Sequence, residues 1–163
     1  DYIVAHPEIL NPNFMLIGRQ VQTDYKGYID LLALQPDGTP VIIELKKDKT
    51  PRDVLAQTLD YASWVEELNS PRLQAIYEKF AGEGANLLGD FEKRFGAELT
   101  EDALTRDHLM VIVATELDNS TERIVKFLAG SGNKVWPLGQ AQLILYGYLL
   151  SWFGRYFSVY QNS

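Results

Sequence analysis

Three short apolar runs set the pattern of the chain. Leu16 to Thr23, Tyr28 to Gln35 and Val41 to Lys47 are rich in Ile, Val and Leu and predict three strands. Between the second and third lies Gln35-Pro36-Asp37-Gly38-Thr39, a strong turn signal. Pro36 suits the first central position of a type I turn, Asp37 the second, and Gly38 the left-handed position that follows. This three-residue loop puts Gln35 opposite Thr39 and Asp30 directly opposite Glu44. A two-residue loop at Asp37-Gly38 would instead send the two acids to opposite faces.

The pattern then turns helical. Thr50 suits an N-cap, Pro51 the first helical position and Asp53 the acid of a capping box, so a helix is expected to about Leu68, stopping before Pro71. Further helices are expected over Leu73 to Phe80 and around Asp90 to Phe95. His108 to Thr115 is a buried-type strand, and Asn119 caps a helix that ends before Gly130. The last 30 residues, full of Tyr, Phe, Trp and Leu, read as strands. At the start, Asp1 to Ala5 is expected to be the tail of a helix that ends near His6-Pro7. The order α-β-β-β-α-(α)-β-α-β predicts a single α/β domain, with a mixed sheet covered by helices, over residues 1–163.

The polar interruptions of the apolar runs carry the chemistry. Lys46 lies two residues after Glu44 and shares its strand face. Two carboxylates and one ammonium therefore converge, and carboxylate oxygens suit hard cations such as Mg²⁺. Such a metal polarises a phosphodiester and acidifies a bound water. The plainer alternative is a strand salt bridge between Glu44 and Lys46, with Asp30 an ordinary strand-edge charge.

Gly27-Tyr28-Ile29-Asp30-Leu31-Leu32-Ala33, the Asp37-Gly38 turn and Val41-Ile42-Ile43-Glu44-Leu45-Lys46 resemble the PD-(D/E)XK nuclease superfamily, most closely its RecB-like and NucS-like branch. Gln57-Thr58-Leu59-Asp60-Tyr61 is similar to that branch's Gln-x-x-x-Tyr helix motif, with Gln57, Tyr61 and Trp64 on one helix face. The resemblance covers about residues 17–68, and 108–130 more loosely. It implies a restriction-endonuclease-like core and a Mg²⁺- or Mn²⁺-dependent endonuclease that hydrolyses DNA through a metal-activated water. It also implies Asp30, Glu44 and the Leu45 carbonyl as metal ligands, Lys46 as the catalytic lysine and Gln57 as a site-organising residue. Tyr61 either contacts the DNA backbone or packs, and for Trp64 packing is expected. The family's first-helix acid has one early candidate, Glu8, which follows Pro7 and so falls past that helix. The acid-free segment after Gly132 does not match the family's closing strands.

Composition refines the partner. The 163 residues carry 15 Lys+Arg against 22 Asp+Glu, a net charge of −7, and every acid lies at or before Glu122. An acidic surface is a poor general attractor for DNA. Lys46, Lys47, Lys49 and Arg52 nevertheless form a basic cluster beside the paired acids, joined by Lys26 from the adjoining loop, and these are the candidate phosphate contacts. The overall charge therefore points to help from a missing N-terminal segment, a further domain or a homodimer. A catalytically inactive nucleic-acid-binding or protein-interaction module on the same fold is the alternative. The absence of cysteine excludes thiol nucleophiles and Cys-ligated zinc. His6 and His108 read as structural, without partners. No signal peptide is seen and the longest apolar stretch, Leu143 to Phe153, is too short to span a bilayer, so a cytoplasmic protein is expected. Asp1 in place of an initiator Met leads us to expect a fragment or processed chain.

Overall fold

The structure is a computed structural model that describes residues 2–50, 53–106, 108–117, 119–120, 123 and 141–147. For residues 46–50, 54–55, 105–106, 114–117 and 141–147 the description is of the backbone alone.

One mixed sheet organises the chain, in the order β1-β2-β3-β4-β5. Strands β1 (Met15–Gln22), β2 (Tyr28–Leu34) and β3 (Pro40–Thr50) form an antiparallel meander. Strands β4 (His108–Leu117) and β5 (Ala141–Gly147) add in parallel. Between β3 and β4 run α2 (Asp53–Val65), α3 (Ser70–Ala81), α4 (Leu87–Phe95) and α5 (Glu101–Arg106), as a parallel pair requires a long crossover. A short α1 (Tyr2–Ala5) and one 3₁₀ turn (Pro7–Ile9) precede the sheet. This is the α/β architecture, a mixed sheet with flanking helices, that the order of elements predicts.

The sheet is buried on both faces. Leu32, Leu34 and Ile42 point to the helices and pack with Trp64, Val65, Leu73 and Phe91. Leu31, Ala33, Val41 and Ile43 point the other way, beneath Leu10 and Phe14 of the N-terminal segment. That double burial explains why these strands read as continuous apolar runs instead of alternating ones.

Helix boundaries differ from expectation in three places. Thr50 ends β3, paired with Leu117, and the helix start that it and Pro51 were expected to form lies outside the described residues. Pro71 opens α3 instead of merely stopping α2: the Asn69 side chain caps the helix by accepting from the Arg72 amide, and proline is well tolerated in a first turn. Asn86 likewise caps α4 ahead of the expected start, accepting from the Gly89 amide. Helix α5 was not foreseen, since Glu101–Arg106 is too short for a clear apolar period. Most of the helix expected from Asn119 to Gly130, and most of the aromatic tail, lie outside the described residues.

The hairpin between β2 and β3 forms as its turn residues predict. The Gly38 amide donates to the Gln35 carbonyl (2.9 Å), the Gln35 amide donates to the Thr39 carbonyl (3.0 Å), and Gly38 has φ +87°. Leu31 pairs with Ile43, Leu32 with Ile42, Ala33 with Val41 and Leu34 with Pro40, which is the register that brings residue 30 toward 44. A Cβ on Gly38 would also lie 2.7 Å from the Ala103 Cβ. Gly38→Ala is therefore expected to lower stability by about 1–3 kcal/mol, through left-handed strain plus overpacking. Urea unfolding checks this, and an unchanged midpoint would contradict the turn assignment.

Candidate metal and phosphodiester site

The convergence of the two acids is direct. The Asp30 amide donates to Glu44 Oε1 (3.4 Å), and the Leu45 amide donates to Asp30 Oδ2 (2.9 Å). Asp30 is half-buried, while Glu44 is 1% exposed. Both sit at the end of the β2–β3 ladder, beyond its last backbone pair, Leu31 with Ile43. Two carboxylates with a backbone carbonyl available at the next residue make an all-oxygen donor set, the kind that suits Mg²⁺ or Mn²⁺ rather than a soft metal. Among the described residues no group of three or more His, Asp or Glu forms, so no third acid joins the pair there.

Glu8 does not supply it. It lies in the 3₁₀ turn past α1, with its side chain exposed and 3.2 Å from His6 Nδ1. Its own backbone hydrogen bond, followed by that histidine, holds its carboxyl below the ordinary range. The two histidines correct a second expectation, since both have acid neighbours: His108, 7% exposed, places Nδ1 3.5 Å from Glu66 Oε1.

Helix α2 backs the site. Gln57 Nε2 donates to the Tyr61 hydroxyl (2.6 Å), which also accepts from the Tyr28 amide (3.1 Å) two residues before Asp30. Tyr61 is 2% exposed, and through the Tyr28 amide it braces β2. Gly27 makes room for it, because a Cβ there would fall 2.4 Å from Tyr61 Cε1. One helical turn on, Trp64 does more than fill the core. Its indole N–H donates to Asp24 Oδ2 (3.1 Å), which also accepts from Arg72 (2.7 Å), and the Arg72 guanidinium lies 5.3 Å from the ring centre. Arg72 first, then Trp64, holds the Asp24 carboxyl below its usual range. This anchor of the β1–β2 loop is thus complete above the ordinary carboxylate range, and weakens only as pH falls through the depressed value.

Lys26 is exposed at the tip of that loop, with φ +66°. Lys46, Lys47 and Lys49 lie in β3, with Lys46 opposite Ala114, but their side chains are outside the described residues, as is the whole of Arg52.

Sequence reasoning missed Gln20. Its side-chain Nε2 donates to Asp30 Oδ1 at 2.7 Å, and its φ is +48°. The available signal was Arg19-Gln20, two successive polar residues that break the alternation of the strand between Ile17 and Val21.

No family model matches the chain. Over 69 residues the chain is 33% identical to endonuclease NucS 2 of Halobacterium salinarum, a stretch covering 42% of this chain and 27% of that protein. It is 28% identical over 68 residues to endonuclease NucS of Sulfolobus acidocaldarius, with the same coverage of both chains. The chain thus spans about a quarter of the length of these relatives. Among solved structures, an EndoMS complex with double-stranded DNA aligns at TM-score 0.45 and 18% identity, covering 77% of this chain and 37% of that one. A repair endonuclease from Pyrococcus abyssi aligns at TM-score 0.42 and 15% identity, covering 77% and 39%. Over this stretch of about 69 residues the chain is therefore similar to NucS endonucleases, and its strand order and hairpin register agree with the fold that the sequence resemblance implied.

Proposed function

We propose that this domain is the catalytic core of a divalent-metal-dependent DNA endonuclease. The observation that carries the reading is the meeting of Asp30 and Glu44 at the end of the β2–β3 ladder. Asp30, Glu44 and the Leu45 carbonyl would hold Mg²⁺ or Mn²⁺, Lys46 would act as the catalytic lysine, and Gln57 would organise the site through Tyr61. When bound, the ion supplies Lewis-acid polarisation of the scissile phosphate and acidifies a water. Glu44 is a deeply buried carboxylate, and a cation drawn between it and Asp30 would offset the cost of that burial. Lys26, Lys47, Lys49 and Arg52 are proposed phosphate contacts that position the backbone without reading sequence. The endonuclease relatives support the reaction class. The acidic composition supports a division of labour, in which this domain cuts and other parts of a longer chain or assembly supply the grip. Among the described residues no helix is long and apolar enough to cross a membrane.

The test is incubation with supercoiled, linear and single-stranded DNA, with Mg²⁺, with Mn²⁺ and with chelator. Cleavage that needs the cation is expected. Cation binding without cleavage of any substrate would favour an inactive nucleic-acid-binding or protein-interaction module on the same fold.

A further inference from the structure

We propose that Gln20 is a positioning residue for Asp30: its side-chain amide aims the carboxylate at the shared cation site, and the β1 backbone is distorted to put it there. The inference rests on the metal-site reading above. Three observations support it.

First, the β1–β2 ladder skips one rung. Arg19 pairs with Leu31 and Val21 with Ile29, and the rung passed over is Gln20 with Asp30. Second, the side-chain alternation of β2 breaks at the same place. Ile29 joins Leu32 and Leu34 in the helix-side core, whereas Leu31 packs on the opposite face. Strict alternation would put Ile29 with Leu31. Third, Gln20 has φ +48°, a region that a non-glycine residue enters only at a cost. Gln20 is exposed, so burial of its own side chain does not offset that cost. What the distortion achieves is one short bond to a carboxylate, 2.7 Å from Nε2 to Oδ1. With the Leu45 amide on Oδ2 at 2.9 Å, both oxygens of Asp30 are held, and its orientation is set from two strands at once. Each oxygen keeps a further lone pair for a cation. This is the outer-ligand pattern that orients metal-binding carboxylates elsewhere.

Gln20→Gly separates this role from a structural one. Glycine adopts the left-handed conformation freely, so the backbone bend is kept while the amide is lost. In the metal-free protein, amide hydrogen exchange at Leu45 is expected to speed up by about tenfold, with Leu32 and Ile42 unchanged. Gln20→Asn, which also tolerates the left-handed region but falls one methylene short, should do the same. In calorimetric titration with Mn²⁺, both variants should bind about 10- to 100-fold more weakly than the parent, at unchanged or raised melting temperature. Unchanged Leu45 exchange would overturn the proposal, and so would full Mn²⁺ affinity in Gln20→Gly. A parent protein that binds no Mn²⁺ would remove the metal-site reading, and Leu45 exchange would then decide by itself whether Gln20 positions Asp30.

Discussion

Asp30→Asn is expected to reduce cation-dependent DNA cleavage by about a thousandfold or more, since a bound cation supplies several kcal/mol of transition-state stabilisation. The substitution should leave the fold almost untouched. The neutral, isosteric amide that replaces the carboxylate keeps an oxygen for the Leu45 amide, and the Gln20 amide can rotate to present its oxygen to the new NH₂ group. Stability should therefore change by less than about 1 kcal/mol, while the negative charge and one metal-binding oxygen disappear. Single-turnover cleavage in Mg²⁺, measured beside thermal unfolding without metal, separates the two effects. Retained cleavage would place the metal elsewhere. Equal losses of activity and stability would make Asp30 a structural residue.

Trp64→Ala should give the largest loss of stability, about 3–5 kcal/mol, because it removes a fully buried indole and leaves a cavity in the helix-side core. Trp64 is 2% exposed and packs with Tyr61, Val65 and Leu73, on the same face as Ile42. The change also removes the indole donor to Asp24 and the surface over which Arg72 lies, so the β1–β2 loop loses part of its tether. Trp64→Phe should cost less, since it keeps most of the apolar volume and removes only the N–H. Guanidinium unfolding of the three proteins checks the order. A Trp64→Ala loss below about 1 kcal/mol would show that the helix-side core is not packed as described.

The approach of Asp30 to Glu44 was legible because it depends on turn chemistry. Pro36, Asp37 and Gly38 specify a three-residue loop, the loop fixes the register, and the register brings Asp30 to Glu44. The helix motif was legible for a similar reason: three- and four-residue spacings put Gln57, Tyr61 and Trp64 on one face, though not what each touches. That Tyr61 would spend its hydroxyl on the Tyr28 amide depends on how α2 lies across β2, and no local pattern encodes that placement. Gln20 was missed because strand periodicity assumes regular pairing, and the skipped rung is where pairing fails. That β3 would run on to Thr50 was not legible, because a parallel partner far along the chain, Leu117, extends it.

Anomalous diffraction from crystals grown with Mn²⁺ is the sharpest test of a divalent cation shared by Asp30 and Glu44. A single Mn²⁺ peak is expected at the end of the β2–β3 ladder, with oxygen ligands from Asp30, Glu44 and the Leu45 carbonyl. A peak bound by other residues, or none at this place when Mn²⁺ is in large excess, would contradict it.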